Sequence, residues 1–269
     1  MRLRKTLMAC GAVSVLAGVV GHAGPAAGHT AQSVISRPPG GAVLTFEGTA
    51  GPDGVEVEVA GGEVVVTVAG AAAAGPGCVA APGPGHRFVC GVAGPQVEIM
   101  FTLGRGDDLV HFTGISPHGF VIGEAGADRL KLSDGGAAAH AVGFSGGSGR
   151  DLVDYSLATA PVDVSLDGAD GDGRAGVDDD DIGTDVEDVW GSASGDRIEG
   201  SPQANDLRGG AGGDLLYGLG GDDDLHAAGA GHAEAPGARD VLDCGEGTGD
   251  TGRRDDRQDL LIGCENGRG

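Results

Sequence analysis

The sequence predicts an all-β protein: a parallel β-solenoid preceded by N-terminal strands and closed by a disulfide-pinned C-terminal cap. Three observations predict it. Residue classes recur nine positions apart, with Gly191, Gly200, Gly209 and Gly218 opening four units, Asp196, Asn205, Asp214 and Asp223 in one later phase, and Ile198, Leu207, Leu216 and Leu225 two residues beyond. A fixed short period of this kind marks a stacked coil in which each unit buries its apolar face only against its neighbours. The chain also holds 56 Gly and 12 Pro among 269 residues, which without a period would suggest disorder and with one supplies turns. Aromatic residues are few (one Trp, two Tyr, six Phe), so a narrow core of Val, Leu, Ile and Ala is expected rather than a wide globular one.

Residues 1–30 have the organisation of a secretory signal. Arg2, Arg4 and Lys5 form a basic end, Leu7 to Val20 an apolar stretch, and Ala26, Ala27 and Gly28 a small-residue site, so cleavage is expected near 28–31. A spanning helix needs about 20 apolar residues, and this run is shorter and ends in Gly and Pro. Leu7-Met8-Ala9-Cys10 resembles a lipoprotein box, but the apolar run follows the cysteine instead of preceding it.

Export leaves 14 Lys+Arg against 40 Asp+Glu, with Lys131 the single remaining lysine. That balance argues against nucleic acid and anionic membranes as partners. Four cysteines remain, and an oxidising compartment makes disulfides the default. Local pairing joins Cys78 to Cys90 and Cys244 to Cys264, although four cysteines allow three connectivities and the other two stay open. No CxxC spacing points to zinc or redox chemistry.

Residues 31–103 read as an N-terminal β region. Val43 to Phe46, Val55 to Val59 and Glu63 to Val68 are strand-like, and the Val/Glu alternation at 55–59 predicts a strand with its valines inward. Gly61-Gly62 between two such runs predicts a tight hairpin. The Ala/Gly/Pro-rich stretch 70–86 is a loop held by the Cys78/Cys90 pair, and strand character returns at 97–101.

The solenoid is expected over 104–226. Its looser units carry Asp108, Asp128 and Asp151, spaced 20 and 23 residues apart, close to one full coil, which predicts stacked turns on one edge. Residues 155–190 interrupt the ladder with a strand at 162–166 and an acidic loop at 167–185. That loop begins like an EF-hand at Asp170-Gly171-Asp172 but carries Arg174 at the fifth position and Ala175 where the motif needs glycine, so it reads either as a solvated acidic loop or as a further calcium site. After His226 the nine-residue period fails, and 227–269 is read as the cap.

The unit carries cation chemistry. Its first six residues make a turn whose carbonyls point to one side, the sixth supplies a carboxylate, and the last three form a short strand with one inward aliphatic. Calcium takes six to eight such oxygens. Two units complete a coil, so Asp196 should stack beside Asp214 and Asn205 beside Asp223. The candidate ligands are therefore Asp196, Asn205, Asp214 and Asp223 with the turn residues Gly209, Ala211, Gly218 and Gly220, joined by Asp108, Asp128 and Asp151 of the looser ladder.

The stretches Gly209-Gly210-Ala211-Gly212-Gly213-Asp214 and Gly218-Leu219-Gly220-Gly221-Asp222-Asp223 resemble the RTX, or haemolysin-type, calcium-binding repeat. The likeness covers about 104–226, and the segment Asp240 to Glu265 is similar to the tail of small secreted bacterial members. What the resemblance implies is a right-handed parallel β-roll with calcium between stacked turns. The chain also departs from the pattern. Ser194 and Gln203 replace the fourth glycine and Asn205 the carboxylate, which predicts weaker binding at units 191 and 200 than at 209 and 218. The site that Asp214 shares with the next coil is expected to meet His232 instead of an aspartate.

Enzymatic readings are weaker. Gly143-Phe144-Ser145-Gly146-Gly147 matches a nucleophile elbow, but no helical pattern follows the serine. The six exported histidines (86, 111, 118, 140, 226, 232) form no HExxH, and His111 and His226 fall at an outward repeat position. A β-helical polysaccharide lyase needs basic groups that this surface lacks. The reading is a secreted, non-enzymatic calcium-binding protein. The alternative is a calcium-rigidified adhesion module with a cell-envelope or glycan partner.

Overall fold

A computed structural model describes residues 32–37, 43–94, 96–133, 139–229, 238–255 and 258–268. The signal segment and His232 lie outside the described residues.

The chain shuttles between two largely parallel sheets of 13 and 12 strands. Strands Val97–Arg105, Pro117–Ala125 and Ala141–Ser148 lie side by side in the first; Leu109–Thr113, Arg129–Ser133 and Leu152–Leu157 in the second. Met100 is opposite Phe120, and His111 opposite Lys131, a register of one 20-residue coil. In the tight array Ile198 is opposite Leu216 and Leu207 opposite Leu225, a coil of two nine-residue units. Parallel neighbours in one sheet need a long crossover, and here the crossover is a strand of the other sheet.

The N-terminal strands belong to the same two sheets. Val43–Glu47 pairs in parallel with Val97–Arg105, and Gly54–Ala60 with Leu109–Thr113, so residues 43–60 form the first coil. The chain then turns back at Gly61 (φ 63°) and Gly62 (φ 83°) into Glu63–Ala69, the two positive φ values that a two-residue hairpin turn requires. His86–Val92 and Val79–Ala81 add antiparallel strands to that sheet, and the Cys78–Cys90 disulfide links them.

The interruption at 155–190 contains the expected strand, Val162–Ser165, but the acidic stretch after it is only partly a solvated loop: Asp167, Asp170 and Asp179 are exposed, while Asp172, Asp178 and Asp180 are buried. Asp170–Arg174 and Asp180–Ile182 form an antiparallel hairpin, and the latter pairs in parallel with Ala141–Ser148. Asp and Gly disfavour strands. These strands form because buried carboxylates accept their neighbours' amide N–H groups, as Asp172 does from Ser165 and Ile182.

Beyond His226 the coils continue. Val241–Asp243 and Leu260–Ile262 extend the first sheet, Thr251–Arg253 and Asn266–Arg268 the second, and Cys244–Cys264 ties adjacent coils together. The core changes along the axis. At the N-terminal end Phe46, Phe101 and Phe112 stack with centroids 5.6 and 5.7 Å apart. In the tight array one fully buried aliphatic per strand (Ile198, Leu207, Leu216, Leu225) fills it, each contributing about 1.5–3 kcal/mol.

Candidate metal centres

The edge leading into the 12-stranded sheet carries a ladder of acidic residues broken only by Asn205, and the opposite edge carries one from Asp196 to Asp259, each rung placed just before a strand. On the edge leading into the 12-stranded sheet, each rung's amide N–H donates to the side chain of the next. Asp53 donates to Asp108 (2.6 Å), Asp108 to Asp128 (3.0 Å), Asp128 to Asp151 (2.7 Å) and Asp151 to Glu187 (2.9 Å). After a step at Asn205, whose Nδ2 donates to the Glu187 carbonyl, the series resumes: Asn205 to Asp223 (2.8 Å), Asp223 to Asp250 (2.8 Å) and Asp250 to Glu265 (3.0 Å). The opposite edge runs from Val162 to Asp196 (2.8 Å), Asp196 to Asp214 (2.8 Å), Asp214 to Asp240 (2.7 Å) and Asp240 to Asp259 (3.2 Å).

All the aspartate and asparagine candidates from the sequence therefore sit on these two ladders, with Asp196 stacked on Asp214 and Asn205 on Asp223. Gly209 and Gly218 direct their carbonyls towards Gly191 and Gly200 of the preceding coil. The Ala211 amide donates to the Ser192 carbonyl (3.3 Å), and Gly220 bridges to Glu246. One expectation is corrected: the residue that meets Asp214 is Asp240, not His232. That coil spans 26 residues rather than 18. The extra length breaks the period in the sequence without breaking the stack.

The rungs missed in the sequence are Asp53, Glu187, Asp240, Asp250, Asp259 and Glu265. Four of them carry a readable signal, an acidic residue two positions before an inward aliphatic: Asp53/Val55, Glu187/Val189, Asp240/Leu242 and Asp259/Leu261. Asp250 and Glu265 lack it, because Gly252 and Gly267 stand at the inward position.

The glycine pattern follows from the carboxylates. A Cβ on Gly146, at the first position of its turn, would overlap the Asp151 carboxyl, and one on Gly149 (φ 149°) would overlap the Gly126 carbonyl of the coil below. The second position takes positive φ in several turns, as at Gly147 (φ 98°) and Gly210 (φ 127°). Glu124 (φ 74°) and Leu219 (φ 71°) occupy it without being glycine, at a steric cost.

One carboxylate oxygen per rung accepts the neighbouring amide. The second, Oδ2, is buried with no hydrogen-bond partner at Asp108, Asp128, Asp151, Asp223 and Asp250. Buried polar atoms are nearly always satisfied, so these five oxygens are the ladder's candidate donors to a metal ion. Burial pushes the carboxyls of Asp108, Asp151 and Asp223 up to about 7. The hydrogen bond each accepts from the preceding rung pulls the other way, and neighbouring acidic groups add to the rise. Asp128 is raised as well, again mainly by burial.

Two further groups have metal-compatible spacing, Asp240/Asp255/Asp259 on the second ladder and His140/Asp178/Asp180 in the interrupted region, with ligand atoms within 4.8 Å of one another. The second group has its own positive charge. Arg174 donates to both oxygens of Asp178 (2.9 and 2.8 Å), and His140 lies 3.0 Å from Asp180 and 3.4 Å from Asp178. Burial pushes Asp178 up, but Arg174 and His140 outweigh it and hold the carboxyl low. Burial pushes His140 down, but Asp180 and Asp178 outweigh it and raise its pKa. Nothing local in the sequence signals this cluster, because strand pairing brings together residues 38 and 40 apart.

His111 and His226 face outward, as the repeat phase implies, beside Glu56 and Asp224 respectively. Ser145 lies within strand Ala141–Ser148 and donates to Asp185. No protein-family model matches the chain, and no curated protein matches it either. Among the described residues no helix is long and apolar enough to cross a membrane.

Proposed function

We infer that this chain is a secreted, non-enzymatic calcium-binding repeat protein of the RTX type, in which calcium between stacked turns stabilises the fold. The observation that carries the reading is the row of five buried, unpartnered Oδ2 atoms at Asp108, Asp128, Asp151, Asp223 and Asp250. These are hard oxygen donors, backed by turn carbonyls, and calcium is the abundant extracellular cation that prefers such a set. An unpartnered buried carboxylate is costly. A divalent ion relieves that cost and draws two coils together.

The glycine–aspartate turns on both edges support the resemblance to the haemolysin-type repeat. The two disulfides fit an oxidising compartment, which agrees with the export signal read from residues 1–30. Extracellular calcium modules have dissociation constants of about 0.1–1 mM, so the chain would stay loose where calcium is scarce and fold after export. Isothermal titration of the mature chain with calcium, paired with circular dichroism in chelator, tests this. Saturable heat and a calcium-dependent strand signal are expected. A strand signal indifferent to calcium, with no binding heat, would overturn it.

A further inference from the structure

The two ends of the solenoid are chemically unlike. The far end finishes on Leu260–Ile262 and Asn266–Arg268, among Arg253, Arg254, Asp255, Asp259 and Glu265. The N-terminal end carries almost no charge. Between Glu63 and Glu98 the single Asp, Glu, Lys or Arg is Arg87, in a chain whose exported form has 14 basic residues against 40 acidic.

Both outermost strands of this end come from that stretch. Ala72–Ala74 borders the 13-stranded sheet and Val79–Ala81 the 12-stranded one, and among the described residues each pairs on one side only. An unpaired edge is a template for another strand, and proteins commonly blunt such edges with charge. Neither strand has a charged residue. Val92 (75 % exposed) and Val79 (64 %) are the most exposed large apolar side chains among the described residues, and they lie on the last two strands of the 12-stranded sheet at this end. The Cys78–Cys90 disulfide links those two strands. The Gly75 amide donates to the Ile35 carbonyl (2.7 Å), and Arg37 Nη1 to the carbonyls of Cys90 and Val92 (3.1 Å each). Edges already held in place lose little conformational freedom on pairing.

The end is also stepped. Counted outward from Val97–Arg105, Ala72–Ala74 is the third strand; counted from Leu109–Thr113, Val79–Ala81 is the fourth. A two-fold axis lying between the sheets and along the strands sets the projecting Val79–Ala81 of each copy into the recess beside Ala72–Ala74 of the other. The two seams are equivalent by symmetry, so both close at once. Ala72–Ala74 runs against Val97–Arg105, and Val79–Ala81 against Leu109–Thr113, which makes each seam antiparallel.

We propose that this end is a homodimer interface, with a second copy of the chain docked head to head by mutual strand addition. Charge selects the occupant. Two chains this acidic repel each other over most of their surfaces, and here they meet without desolvating charged groups. Docking the charged far end onto this one would bury Arg, Asp and Glu side chains against apolar ones, which is costly. An isologous contact uses both edges and closes, so no filament grows. Pro76, Pro82 and Pro84 flank the strands and keep each seam short.

Sedimentation equilibrium of the mature full chain in calcium chloride tests it. Short seams predict a dissociation constant of about 10–100 µM, with the mass rising to twice the monomer and no further. Raising potassium chloride from about 0.05 to 0.5 M screens the repulsion and should tighten the dimer. Ala74→Glu/Val79→Glu places one charge on each exposed edge. It should weaken association at least about 10-fold, while the melting temperature and strand signal stay unchanged. A wild-type chain that stays monomeric at millimolar concentration overturns the proposal. So does a dimer that the double variant leaves intact or that salt weakens, since its interface then lies elsewhere. Oligomers larger than two overturn the head-to-head arrangement. Co-sedimentation of a monomer with phosphatidylcholine vesicles, lost in the double variant, would assign the end to a lipid surface instead.

Discussion

The amide of Asp128 donates to Oδ1 of Asp151, 23 residues later, at 2.7 Å, and Oδ2 of Asp151 is buried with no partner. That pair contains the logic of the molecule. One oxygen sets the spacing between coils, and the other creates a demand for positive charge that repeats up the edge.

Neutralising one rung should remove one site without dismantling the ladder. Asp128→Asn keeps an acceptor for the Asp108 amide and loses the charge. Calorimetry should show fewer bound calcium ions, and thermal melts a smaller calcium-linked gain, by up to about 2.7 kcal/mol at 100-fold excess over the dissociation constant. An unchanged stoichiometry and gain would mean that this rung holds no cation.

The raised rung carboxyls make stability depend on pH in a direction opposite to that of ordinary paired aspartates. Asp108, Asp151 and Asp223 titrate near 7 in the fold against 3.8 for the unshifted group, so the fold holds protons that the unfolded chain releases. Their contribution is fully present below about 3.8 and is lost as pH rises through about 7. Without calcium, the melting temperature of the wild-type chain should therefore rise relative to that of Asp108→Asn/Asp151→Asn/Asp223→Asn as pH falls from 8 to 5. Saturating calcium, which binds the ionised form, should reduce that difference in slope. Parallel pH profiles of the two proteins without calcium would contradict the assignment.

Gly146→Ala places a methyl group against the Asp151 carboxyl. Overpacking of this kind costs about 1–3 kcal/mol, and calcium affinity should fall as well because the displaced group is a proposed ligand. Urea melts with and without calcium separate the two effects. A neutral result in both would show that the turn yields freely.

Leu219→Gly should do the reverse. Leu219 is exposed and held at φ 71°, a conformation that costs a non-glycine residue about 1–2 kcal/mol. Allowing for the greater entropy of glycine in the unfolded chain, a net gain of roughly 0.5–1 kcal/mol is expected in chemical denaturation. A loss of stability would show that the leucine contributes contacts worth more than its strain.

Removing the internal cation of the inserted hairpin should be more costly than any surface change. Arg174→Met leaves Asp178 buried without its bidentate partner, and breaking such a pair costs about 3–5 kcal/mol. Because that partner belongs to the chain, calcium should not rescue the variant. Full rescue by calcium would show that an ion can replace the guanidinium.

Much of this was legible in the sequence, for local reasons. The nine-residue register from Gly191 to Leu225 fixed the coil length, the inward aliphatics and the stacking of Asp196 on Asp214, since each depends on spacing alone. The Gly61-Gly62 turn and the stacking of Asp108, Asp128 and Asp151 were readable in the same way. Asp53 was missed because an excursion of more than thirty residues separates its coil from the next, and Asp240 because its coil is 26 residues long.

The hairpin at 170–182 was illegible for a different reason. Its carboxylates look solvated in a linear reading, and only tertiary pairing with Ala141–Ser148 reveals that Asp172, Asp178 and Asp180 are buried and matched. The sequence by itself determined the period, the all-β class and the chemical type of the ladder, because repetition every nine or twenty residues writes a local turn geometry directly into the chain. Tertiary structure alone decided which carboxylates are satisfied from within. That depends on donors from neighbouring coils, such as Ser165, Val142 and Tyr155, whose approach no spacing encodes.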